Sequence, residues 1–213
     1  MKKAGILFTM LLSILIWASS VHALPMIDFT DSPFSAVNGK ITETVNYGGL
    51  GITFTATNGL LTHNPGPSGG EDGIGIGDDE ISLGELLEIS FSTELYLSKI
   101  YITDLFNEGN PQYQEQGQFQ YYTGSSPMGW TTFGAPPPPA NLSYPASNGE
   151  YIIDLGPLTA ISKIQFAGID FSRNDYSVRG VDATPTPGPA TMLLLGSGLI
   201  GVAAFGRKKF FKK

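Results

Sequence analysis

The sequence contains no cysteine. That single absence excludes disulfide staples, cysteine–zinc centres and thiol nucleophiles. Histidine is almost missing too: His22 and His63 are the only two, which leaves little for chemistry built on a histidine pair. Positive charge is scarce in the interior. All 19 acidic residues lie between Asp28 and Asp182, against 5 of the 12 Lys and Arg residues, so this stretch carries −14 while the whole chain carries −7. An acidic body repels phosphate backbones, and nucleic acid is not an expected partner. Glycine and proline are plentiful instead: 27 and 15 of 213 residues, a content that argues against a bundle of long helices.

Long apolar runs are confined to the two ends. Met1-Lys2-Lys3 opens the chain with positive charge, and Ala4–Trp17 follows without a charged residue. The run closes on Ala18-Ser19-Ser20-Val21-His22-Ala23, where small residues at Val21 and Ala23 suit signal peptidase. Residues 1–23 are therefore expected to be a helical secretory signal cut between Ala23 and Leu24, with His22 leaving alongside it. At the other end, Thr184-Pro185-Thr186-Pro187-Gly188-Pro189 precedes Ala190–Gly206, seventeen uncharged residues, and then Arg207, Lys208, Lys209, Lys212 and Lys213. A helix over 190–206 would be about 25 Å long, at the short end for a membrane span. The basic cluster should stay cytoplasmic and stop transfer, which puts the body on the outer side of the inner membrane.

Pro187-Gly188-Pro189, the Leu/Gly-rich span Ala190–Leu199 and the cluster Arg207-Lys208-Lys209 stand in that order at the extreme C-terminus. This tail resembles the PEP-CTERM protein-sorting signal, with Gly188 where the family usually has Glu. The resemblance covers about 25 residues. It implies a Gram-negative, exopolysaccharide-producing host, export by the general secretory route, and cutting near Pro187–Pro189 by an exosortase-type enzyme. The destination it implies is the cell surface or extracellular matrix.

The body, residues 24–183, shows alternation of period two and no convincing amphipathic helix. In Gly51–Thr57, Ile52, Phe54 and Ala56 alternate with threonines. Leu87, Ile89 and Phe91 form a second such run, and Leu95, Leu97, Ile100 and Ile102 a third, with a phase slip at Ser98-Lys99 that predicts a bulge or bend. Similar runs surround Phe119 and Tyr121, Ile153, and residues 162–171 and 176–181. About nine short strands between Gly, Pro and Asn turns predict an all-β, antiparallel β-sandwich of jelly-roll-like course. Residues 61–76 and 123–148 are expected to be long loops, the second stiffened by Pro136–Pro139.

Three residue groups qualify as candidate sites. Glu71, Asp72, Asp78, Asp79 and Glu80 lie in a glycine-rich segment and could offer oxygens to a structural calcium, although the spacing matches no EF-hand and a solvated acidic turn is the plainer reading. No cofactor is otherwise required. Tyr121, Tyr122 and Trp130, near Gln118, Gln120 and Phe133, could stack on sugar rings and hydrogen-bond their hydroxyls. In a strand, however, Tyr121 and Tyr122 point to opposite faces, so one of them belongs to the core. Asp104 and Glu108 are expected to cap a turn, and His63 to sit in a loop. No Gly-x-Ser-x-Gly elbow and no histidine pair support hydrolysis, and a glycosidase would need two facing carboxylates in a cleft. The chain is therefore read as a non-enzymatic, exported structural or adhesive protein associated with exopolysaccharide. The alternative is a carbohydrate-binding module with one defined glycan.

Overall fold

The computed structural model describes residues 26–65, 73–78, 80–106, 115–134, 149–169, 176–185 and 196–199. The expected cleavage pair Ala23 and Leu24, the motif Pro187, Gly188 and Pro189, and the cluster Arg207, Lys208 and Lys209 lie outside the described residues. So does most of the expected membrane helix, of which Gly196–Leu199 are helical. Among the described residues, no helix is long and apolar enough to cross a membrane.

The compact unit Ala23–Pro185 is built from strands. These are β1 (Ile27–Asp28), β2 (Thr42–Tyr47), β3 (Leu50–Thr57), β4 (Leu61–Asn64), β5 (Gly73–Ile76), β6 (Leu86–Thr103), β7 (Gln116–Thr123), β8 (Ser126–Pro127), β9 (Thr131–Gly134), β10 (Tyr151–Gly168) and β11 (Ser177–Pro185). A 3-10 helix, Ser32–Val37, enters between β1 and β2 with proline in its first turn and buries Phe34 and Val37. Every strand pairing among the described residues is antiparallel. The expected all-β, antiparallel character is therefore present.

Local chemistry explains the best-defined hairpin. β2 and β3 pair from Thr42↔Thr55 to Tyr47↔Leu50, leaving Gly48 and Gly49 as the two turn residues. Their φ values are +60° and +89°, a conformation that glycine adopts without a Cβ penalty. The Asn46 side chain accepts a hydrogen bond from the Gly49 amide at 3.1 Å and closes the turn.

Two 18-residue strands, β6 and β10, lie side by side within the sheet. The first part of β6 pairs with β3, and its second part with β11. β10 pairs with both parts of β6, and its last six residues also pair with β7. Between Ser90↔Lys163 and Leu95↔Ile161, the residues Phe91–Glu94 stand against Ser162 alone, so β6 bends there. A second extra residue, Ser98, separates Leu97 from Lys99 in the register with β11, which places a bulge where the phase slip predicted one.

Each part of the sheet turns its apolar face inward. Ile52, Phe54, Leu87, Ile89, Ile164 and Phe166 come from one part, and Leu95, Leu97, Ile100, Ile102, Val178 and Val181 from the other; all are buried in one core. Rings from the two parts touch: Phe29, just after β1, meets Phe54 of β3 edge-on at 5.2 Å, and Tyr176 meets Phe133 of β9 at 5.1 Å. Edge-to-face contacts of this kind add about 0.5–1.5 kcal/mol to area burial.

The expected loops are corrected in part. The stretch 61–76 contains β4 and β5, and 123–148 contains β8 and β9. Gly73-Ile74-Gly75-Ile76 resembles a turn by composition, yet all four residues are buried between β4 and β11. A Cβ at Gly73 would lie 2.6 Å from the Val178 carbonyl oxygen, so glycine is what lets this strand approach. His63 accordingly sits on β4, opposite Ile74, not in a loop.

Candidate functional site

The alternation of β7 separates the predicted aromatic residues. Phe119 is buried and Tyr121 packs against the core, which turns Gln120 and Tyr122 to the opposite face. Cross-strand register extends that outer face over five strands, because directly opposed residues share a side. One row reads Thr42, Thr55, Glu88, Gln165 and Gln120 across β2, β3, β6, β10 and β7; the next reads Thr44, Thr53, Ser90, Lys163 and Tyr122. No aliphatic side chain interrupts either row.

Hydrogen bonds knit the rows together. The Gln165 Oε1 accepts from Gln120 Nε2 at 2.6 Å and from the Tyr122 hydroxyl at 3.2 Å, while Gln165 Nε2 donates to Glu88 Oε2 at 2.7 Å. That same Glu88 oxygen lies 3.0 Å from Lys163 Nζ. The ammonium also sits 4.2 Å from the centre of the Tyr122 ring, a cation–π arrangement. At the β2–β3 end, the hydroxyls of Thr42 and Thr55 are 3.0 Å apart and those of Thr44 and Thr53 are 2.8 Å apart. Gln120 is 9% exposed, so burying its amide depends on the bond to Gln165.

Trp130 stands at the β7 edge of this face, on the connection from β8 to β9, where it is 44% exposed next to an exposed Met128. The three predicted glycan contacts thus have three placements: Tyr121 inward, Tyr122 outward with Lys163 over its ring, and Trp130 exposed at the rim. Sequence reasoning missed Glu88, Lys163 and Gln165. Alternation in 162–171 gave a usable signal, since buried Ile164 and Phe166 turn Lys163 and Gln165 outward.

The acidic segment is partly outside the described residues: Glu71, Asp72 and Asp79 are not among them. Asp78 is exposed in the turn after β5, and Glu80 forms an isolated bridge with Ile76. Among the described residues, no group of three His, Asp or Glu side chains is gathered to hold a metal ion.

A second polar group surrounds Arg179, which bulges out of β11 between Val178 and Gly180. Its Nη1 donates to Glu150 at 2.8 Å, and its Nε lies 3.7 Å from Asp28 Oδ2. Asp104 follows β6 with φ +61°. It lies in a bend and is 1% exposed, a packed residue. On the outer side of the second sheet part, the Tyr101 hydroxyl donates to Asp182 at 2.9 Å; burial, and then that carboxylate, raise the phenol above its ordinary value. Burial lowers His63, opposed by the Phe29 and Thr30 carbonyls.

No protein-family model matches the chain, and no curated protein matches it. Among solved structures, the chain is similar to one described as "X-ray structure of GH31 CBM32-2 bound to GalNAc", at 12% identity and a TM-score of 0.37, covering 64% of this chain and 99% of that one. At that TM-score the likeness carries no functional argument.

Proposed function

We propose that the chain is an exported cell-surface or extracellular-matrix protein whose body, a β-sandwich of jelly-roll-like course, associates with exopolysaccharide. Signal peptidase removes residues 1–23, the tail 190–213 holds the body at the inner membrane, and an exosortase-type enzyme acts near Pro187–Pro189. The two uncharged ends with their basic flanks support this route. The observation that carries the role of the body is the outer face of β2, β3, β6, β10 and β7: hydroxyls, amides and one ion pair in unbroken rows. Such a surface can exchange bonds to water for bonds to sugar hydroxyls.

The test has two arms. Intact mass of the protein from envelope and culture fluid of the native host should show both ends removed; full-length chain in the cytosol refutes the export route. In affinity electrophoresis, exopolysaccharide from that host should retard the full chain, and Lys163→Ala with Gln165→Ala should release it. Unchanged mobility with and without polysaccharide refutes the role of the body. The exposed Trp130 favours a second reading, a module with one defined glycan. Under that reading, Trp130→Ala alone abolishes retardation and the outer-face substitutions leave it intact.

A further inference from the structure

The two rows also constrain the shape and charge of what could lie on them, provided that the outer face is where polysaccharide meets the body. Adjacent strands are about 4.8 Å apart, so five strands span about 19 Å from β2 to β7. That spacing is close to the length one pyranose unit adds to an extended, equatorially linked chain. A sugar chain running across the strands would therefore meet a new polar side chain at each unit. One row would present Thr44, Thr53, Ser90, Lys163 and Tyr122 to it in order; the parallel row, Thr42 to Gln120, lies alongside. A chain running along the strands would lose this match within two residues.

Charge narrows the class further. Within the rows, Lys163 is the one cation and Glu88 the one anion, and they neutralise each other at 3.0 Å. The surrounding body is strongly acidic, with −14 between Asp28 and Asp182. A polyuronate would be repelled by the body without finding an unpaired cation in the rows. We infer that the ligand of this face is a neutral, extended, equatorially linked glycan lying across the strands, and that about four or five sugar units fill it.

The test uses the full chain in detergent and neutral oligosaccharides of one to six units (cello-, manno- and xylo-series), with oligo-uronates of the same lengths at low salt. Affinity for one of the neutral series should tighten by about fivefold per added unit, the worth of one net hydrogen bond, and level off near four or five units. The uronates should bind at least about tenfold more weakly. Thr53→Ala, at a half-buried position second along its row, should weaken the longest oligomer and leave the shortest unchanged. Affinity already maximal at one or two units, or uronates bound as well as neutral chains, overturns this inference while polysaccharide association stands. If no oligosaccharide binds but the host exopolysaccharide still retards the chain, the inference also fails alone. Loss of both sinks the association beneath it.

Discussion

The two faces of β3, β6, β10 and β7 come from the same strands and obey different rules. Inward, Ile52, Phe54, Leu87, Ile89, Ile164, Phe166 and Phe119 are buried against rings and aliphatics from the other part of the sheet. Their stability rests on volume, since a void loses its dispersion partners outright. Outward, Thr53, Glu88, Lys163, Gln165 and Gln120 rest on donors matched to acceptors across neighbouring strands. Removing a side chain leaves a cavity on the inner face and an unmatched polar atom on the outer one. The inner face can therefore be damaged badly by one substitution, while the outer face can vary in chemistry at small cost to the fold.

Phe54→Ala should be the most damaging change, because Phe54 touches Phe29 at 5.2 Å and Phe34 at 5.8 Å. A loss of about 3–5 kcal/mol in denaturant unfolding is expected. A loss under about 1 kcal/mol would mean that the core is not close-packed there. Gly117→Ala should come next. A Cβ at that position lies 2.4 Å from Phe133 Cζ and 2.6 Å from Tyr176 Cε1. Both rings are held, Tyr176 by its hydroxyl bond to the Ala167 carbonyl at 3.0 Å. Overpacking of this kind costs about 1–3 kcal/mol, and retention of wild-type Tm would show that the ring pair yields.

On the outer face, Gln165→Ala should cost about 1–2 kcal/mol, since it leaves the amide of the mostly buried Gln120 without its 2.6 Å acceptor. The loss should be smaller when Gln120→Ala is already in place, where only the bonds of Gln165 to Tyr122 and Glu88 remain to be lost, and a double-mutant cycle measures that coupling. The smallest effect concerns pH. Burial holds His63 below its ordinary value near 6.5, so the unfolded chain takes up the proton first as pH falls. The contribution of His63 to stability is complete above that ordinary value and declines as the pH drops through the lower folded-state value. Tm measured from pH 7 to pH 5 should fall less in His63→Gln than in the wild type; parallel curves would show that His63 does not sense burial.

Alternation made much of the fold legible in the sequence. Ile52, Phe54 and Ala56 stand inward as their spacing predicts, and the slip at Ser98 is a bulge in the structure. Glycine hid β5, because its buried strand lacks the side chains that announce strands, and short length hid the 3-10 helix around Phe34. The runs 87–91 and 95–102 looked like separate strands because three exposed residues, Ser92–Glu94, divide them; they are one bent strand. The candidate site was less legible. Tyr122 was visible as a polar aromatic, but its neighbours Lys163 and Gln165 lie more than 40 positions away, and only strand pairing brings them to it.

The sequence by itself determined which residues of each strand could face water and how charge is divided between an acidic body and basic ends, since both follow from residue order. Tertiary structure alone decided that Thr44, Thr53, Ser90, Lys163 and Tyr122 share one row, and that Tyr121 packs against the core. Those outcomes depend on register between distant strands, and register is set by how the whole apolar face packs, a property that no local stretch of chain contains.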